Sequence, residues 1–291
     1  MSKRRKSGQQ TPKKQKLRDV FVPRPFEGLA DEVEWVALRE LVPAATATLT
    51  LAPEYADKFP DRQVIVATVL PQAWPAMSKP DGRVFVGLQR HVQSGDVSRD
   101  LAVAILQGLA TEPGAPVSVP ALPGEGPRLQ DVLADGTLDV TMHEGFEFWL
   151  DADAGDDPNV KASLERANSS IYPTERMSVA RAVYWCRVPE KSHIRWVLPD
   201  EEDAALDALA RLAAADGIKL GEGTRFAGMF RAHGLLVPVW DLPLAPPASD
   251  WEEPLSAFTA RYAESLAADT PLMPEERRAR AGLLGRQLTL R

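Results

Sequence analysis

A chain of 291 residues, with 44 % apolar and 26 % charged side chains, is long enough to bury a core without covalent staples. Its formal charge of −7 hides a segregation: residues 1–18 hold eight Lys or Arg and no acid, leaving 26 basic against 41 acidic side chains elsewhere, a net of −15. The single cysteine, Cys186, excludes an intramolecular disulfide and an all-cysteine zinc site, and no apolar run approaches the ~20 residues of a spanning helix.

Residues 1–24 combine Lys, Arg, Ser, Gly, Gln and Pro and cannot bury enough surface to offset ordering entropy, so a disordered basic tail is expected. As a flexible coil it spans about 27 Å root-mean-square. Its cations, Lys3, Arg4, Arg5, Lys6, Lys13, Lys14, Lys16 and Arg18, are the candidate nucleic-acid contacts. Folding back onto the acidic body is the competing fate of the same charges. No hydrophobic stretch follows them as a secretory leader requires, so a cytoplasmic location is expected.

The body opens on a predicted helix over residues 31–42, with Asp31 as N-cap, Glu34 completing a capping box, and Trp35, Leu38 and Leu41 on one face. Pro43 stops it. Residues 45–51 alternate Ala or Leu with Thr and read as a half-buried strand. Residues 64–70 are apolar but for Thr68 and read as a central strand, with 84–88 as its neighbour after an Asp81-Gly82 turn. Asp96 caps a helix carrying Leu101, Ile105 and Leu109. A loop of five prolines and three glycines fills 112–127, and strands are predicted at 137–141 and 146–150.

Asp157-Pro158 starts a helix with Val160, Leu164 and Ala167 on one face. Residues 179–188 and 194–198 form a predicted hairpin. Asp200 caps a helix carrying Leu206, Leu209 and Ala213, with Gly217 as its stop. Residues 225–231 and 235–241 flank the turn Ala232-His233-Gly234, and Pro238 makes the second arm an edge strand or a bulged one. Helices at 255–266 and 274–280 close the chain. The expected fold is α+β, with mixed or antiparallel sheets and flanking helices, divided into a tail (1–24), an N-terminal lobe (25–155) and a C-terminal lobe (156–291). Both halves repeat one order of elements and a Val-Leu-Pro triplet (69–71 and 197–199). A divergent duplication, two unrelated α+β lobes and one mixed sheet all fit that order.

The common catalytic signatures each miss an obligatory residue. No Gly-Lys dipeptide exists for a phosphate loop, Gly221-Glu222-Gly223 lacks its third glycine, and no G-x-S-x-G elbow occurs. His143-Glu144-Gly145-Phe146-Glu147 lacks the second histidine of a zinc protease helix, and the acidic run from Asp151 fails the calcium-loop template twice. No metal or cofactor is therefore expected. Cys186 lies in an apolar run and reads as a buried small hydrophobe, His193 and His233 as structural, and most of the seven tryptophans as core. Trp74, in a proline-flanked loop, suits binding as well as packing.

Arg24-Pro25-Phe26-Glu27-Gly28-Leu29, the run from Trp35 to Pro43, Gly145-Phe146-Glu147-Phe148-Trp149, Tyr184-Trp185-Cys186 and Phe230-Arg231-Ala232-His233-Gly234-Leu235 together resemble an actinobacterial family with no assigned activity. The resemblance covers residues 24–291. Some of its members carry an N-terminal SEC-C zinc module, also found at the end of the SecA translocase motor. This chain has no cysteine before Cys186 and carries the basic arm in that place. If arm and module are counterparts, the resemblance implies a docking device for the ribosome or the translocation machinery.

Two functions follow. One is a non-catalytic binding or adaptor protein whose tail contacts RNA or the ribosome. The other is an enzyme with a site between the two lobes, for which Arg231, His233, Asp241 and Glu147 are the candidate catalytic groups, being polar residues near predicted strand ends.

Overall fold

The computed structural model describes residues 19–151 and 157–285. The eight basic residues of the tail and the division placed between 155 and 156 lie outside the described residues.

The first half contains α1 (Glu32–Glu40), β1 (Ala45–Leu49), α2 (Pro53–Lys58), β2 (Gln63–Val69), β3 (Ala76–Ser78), β4 (Arg83–Gln89), α3 (Val97–Ala110), α4 (Leu129–Val132) and β5 (Val140–Met142). Its sheet runs β3-β4-β2-β1-β5. β2, apolar but for Gln63 and Thr68, is central and pairs in parallel with β4, Val64 opposite Val84, while β1, β3 and β5 pair antiparallel. Asp96 caps α3 as predicted, its carboxylate accepting from Arg99 N at 3.2 Å.

The second half contains α5 (Pro158–Asn168), β6 (Thr174–Arg176), β7 (Val183–Val188), β8 (Lys191–Trp196), α6 (Glu202–Ala214), β9 (Arg225–Ala232), β10 (Leu235–Leu242), α7 (Glu252–Leu266) and α8 (Pro274–Leu284). Its sheet, β6-β7-β8-β10-β9, is antiparallel throughout. The fold is therefore α+β with one mixed and one antiparallel sheet. The two sheets differ in strand order and direction, so the repeated order of elements does not extend to a repeated topology.

The core crosses between the halves. One cluster joins Phe26, Trp35 and Leu38 to Val64 and Val86 of the first sheet and to Tyr184, Val197, Val237 and Val239 of the second. A second cluster lies between the other face of the antiparallel sheet and α6, α7 and α8, with Trp240 edge-on to Phe258 at 4.9 Å.

Several local readings are corrected by distant partners. Asp31 makes no cap bond to α1; its carboxylate accepts from Leu138 N at 2.8 Å and pairs with Arg181. Glu34 turns into the core and meets β7 instead of closing a capping box. Asp200 accepts from Tyr262 Oη at 2.8 Å, leaving Glu201 at the N-cap of α6. That helix stops at Ala214, with Asp216 in the left-handed region (φ 53°) rather than at Gly217.

Residues 146–150 are no strand. Glu147–Trp149 is a 3₁₀ turn, which stacks Phe146 on Trp149 at 4.2 Å and sends Trp149 Nε1 to Val69 O at 2.9 Å. The predicted strand at 137–141 sits later, at Val140–Met142, and the strand at 179–188 begins only at Val183.

The His233-Gly234 turn has both φ values positive (48° and 85°), the type I′ geometry that matches strand twist. Pro238 is on an inner strand, and the register slips between Val239 and Trp240, so the bulged alternative describes it.

Gly108 on α3 is a close-approach position. A Cβ there would meet the Val84 Cγ1 atom at 2.4 Å, and Val84 is fully buried and stiff at χ1. Alanine would gain about 1 kcal/mol in helix propensity but cost about 1–3 kcal/mol in overpacking. Gly108→Ala is expected to lower stability by about 1 kcal/mol in urea unfolding. A stabilised variant would contradict the close contact.

Candidate functional site

Period-two alternation sorts the antiparallel sheet into two faces. Val183, Trp185, Ile194, Trp196, Leu236 and Trp240 face the helices α6 to α8. The other face carries Tyr184 and Cys186 of β7, His193 and Arg195 of β8, and Val237, Val239 and Asp241 of β10. Where Tyr184, Val197 and Val237 lie, this face packs into the shared core. Beyond the end of α1 it opens into a cleft of about 460 Å³. Cys186, Val188, His193, Arg195, Phe230 and Val239 line it from the sheet, and residues 40–43 with Gln89 line it from the first half.

Strand register aligns three groups of chemical interest. Cys186 is the cross-strand partner of His193, and His193 is the partner of Asp241. His193 Nδ1 lies 3.0 Å from Asp241 Oδ1. Asp241 also receives Lys191 Nζ at 3.0 Å and the Arg225 guanidinium. Burial opposes the charge on Asp241, but the bonds from Arg225 and Lys191 outweigh it and hold the carboxyl below its usual range. Burial pushes the His193 imidazole down, Asp241 only partly countering it. The Cys186 thiol is pushed up by burial, with Arg195 working against the shift.

Opposite, Glu40 lies 2.8 Å from His233 Nε2 and 3.3 Å from Arg39 Nε. Burial raises its carboxyl, and His233 and Arg39 more than offset that, so its net shift is downward. Arg195 Nη2 donates to Leu41 O at 3.1 Å. Its Nε is buried with no hydrogen-bond partner.

The four predicted catalytic groups do not converge. Arg231 forms a forked pair with Glu202 of α6, both Nε contacts at 2.9 Å. His233 turns to α1, edge-on to Phe26 at 5.4 Å, and reaches the cleft only through Glu40. Glu147 accepts from Asn168 Nδ2 at 2.9 Å and is not among the residues that line the cleft, although Ser170, two positions beyond its partner, is. Asp241 and His233 each meet the cleft at second hand, Asp241 through His193 and His233 through Glu40. Sequence reasoning set aside His193 and Cys186 and did not single out Arg195 or Glu40. The alternation of polar and apolar residues over 193–196 was the available signal of a charged sheet face.

Other readings are settled by contacts. His143 lies 2.8 Å from Thr46 Oγ1, and burial lowers its pKa. Five tryptophans are buried, whereas Trp74 is 48 % exposed. Among the described residues, no group of three or more His, Cys, Asp or Glu is placed to hold a metal ion, and no helix is long and apolar enough to cross a membrane.

No curated protein and no solved structure matches the chain. A family profile does, described as a family of unknown function (DUF5926), and it spans residues 25–291. The match begins after the basic arm and runs through both sheets. The chain therefore belongs to the DUF5926 family.

Proposed function

We propose that this is a cytoplasmic binding or adaptor protein of an actinobacterial cell, with the arm of residues 1–18 contacting RNA, on the ribosome or free. The observation that carries this reading is the charge segregation: eight cations and no acid in the arm, against a net −15 in the rest. The body's own field repels a polyanion, which concentrates phosphate contact on the arm. The separation of Arg231, His233 and Glu147, each held by an internal partner, also favours binding over catalysis. Removing residues 1–18 is expected to abolish co-sedimentation with ribosomes at low salt. Unchanged sedimentation would overturn the reading.

An enzyme with its site between the halves is a second reading, favoured by Cys186, His193 and Asp241 lying in register along the cleft. The pH profile of Cys186 alkylation separates the two. A nucleophile paired with its base reacts at a rate nearly flat from pH 6 to 9. The raised thiol pKa instead gives a rate climbing about tenfold per pH unit across that range, without a plateau, and that is the expected result. A flat profile would favour catalysis.

A further inference from the structure

We propose that the cleft between α1 and the antiparallel sheet binds a small organic monocarboxylate with an apolar body, and that Arg195 receives the carboxylate. This site is separate from the arm and stands or falls independently of RNA binding.

The volume, about 460 Å³, lies within the ~300–1,000 Å³ typical of sites for small organic ligands. Leu41, Val42, Pro43, Val188, Phe230 and Val239 supply apolar wall from both halves of the molecule. Such a surface takes up an alkyl or aryl body.

Charge complementarity fixes the polar end. Around the cleft the other charges are answered: Glu40 by Arg39, with His233 beside it, and Asp241 by Lys191 and Arg225. Arg195 is not. No described carboxylate lies within ion-pair distance of it, and the one hydrogen bond of its guanidinium among the described residues is to Leu41 O. The Nε–H is sealed from water as well as unpaired, so a ligand carboxylate meets the guanidinium at Nη1, in a charge-assisted bond. Because Nη2 is committed to Leu41 O, the guanidinium is held in place from the α1 side before any ligand arrives. A monoanion fits better than a phosphate dianion, since Glu40 in the wall and Asp241 behind His193 stay ionised and repel a second charge.

The test uses the full chain and octanoate as probe, in equilibrium dialysis with octylammonium and inorganic phosphate as comparison. Octanoate is expected to bind saturably at one site and to slow alkylation of Cys186, which lines the same cleft. Octylammonium, with the same chain and the opposite charge, is expected to bind at least tenfold more weakly, and phosphate not to displace octanoate. Arg195→Gln is expected to weaken octanoate at least tenfold. Val188→Trp, which fills the cleft from the end of a strand, is expected to abolish binding, and it serves if Arg195→Gln does not fold. Failure of octanoate to bind at millimolar concentration, equal binding of octylammonium, or displacement by phosphate would each overturn the proposal. So would either folded variant binding octanoate as tightly as the parent.

Discussion

Glu34→Ala is expected to cost about 3–5 kcal/mol, the range for stripping one partner from a buried charged cluster. Glu34 has no exposed surface, yet its carboxylate gathers three donors from the far half of the chain. Oε1 accepts from Arg176 Nη2 at 2.8 Å and from Ala182 N at 3.0 Å, and Oε2 accepts from Tyr184 Oη at 2.7 Å. Alanine leaves a buried backbone N–H and a buried phenol without acceptors, in addition to a cavity. Against a typical total of about 5–15 kcal/mol this is a large loss.

Glu34→Gln should be much milder, about 1–2 kcal/mol, because its amide oxygen still serves Arg176 and Ala182 while the tyrosine hydroxyl can turn to accept. Urea unfolding followed by tryptophan fluorescence gives both numbers. An alanine variant within 0.5 kcal/mol of the parent, on the order of an ordinary surface change, would mean that this contact does not hold α1 to β7.

The arm carries the second large effect. Neutralising eight phosphates on single-stranded RNA gives a slope of log K against log salt as steep as about −6. Between 50 and 200 mM salt the affinity of the full chain should then fall by roughly a thousandfold or more. A slope near −1 would mean that most of these cations are already answered within the protein. Sequence selectivity should be slight, because no aromatic residue is interleaved among them to stack on bases.

What was legible in the sequence was what neighbours decide. The largely apolar run of residues 64–70 became the central strand, Asp96 capped its helix, and Ala232-His233-Gly234 made its turn, since each signal is complete within a few residues. The errors share a cause. Asp31, Glu34 and Asp200 have the right identities and spacing for caps, but Arg181, Tyr184 and Tyr262 outcompete the helix ends for their oxygens. Glu34 and Tyr184 are 150 positions apart, and no local window contains that competition.

Residues 146–150 failed differently. Their alternation suited a strand, but stacking Phe146 on Trp149 needs both rings on one side, which a tight turn supplies. The candidate site was half legible for the same reason. The strand predicted at 194–198 overlaps β8 and residues 193–196 alternate, yet only the order β7-β8-β10 places Cys186, His193 and Asp241 abreast.

The most direct measurement of the central claim is fluorescence anisotropy of a labelled single-stranded RNA at 50 mM salt, comparing the full chain, a chain beginning at Asp19, and a full chain with the eight arm cations changed to Gln. The account expects tight binding by the first and at least a hundredfold weaker binding by both others, with the body's urea unfolding unchanged. Equal affinity for RNA in all three would place the contact on the acidic body and contradict it.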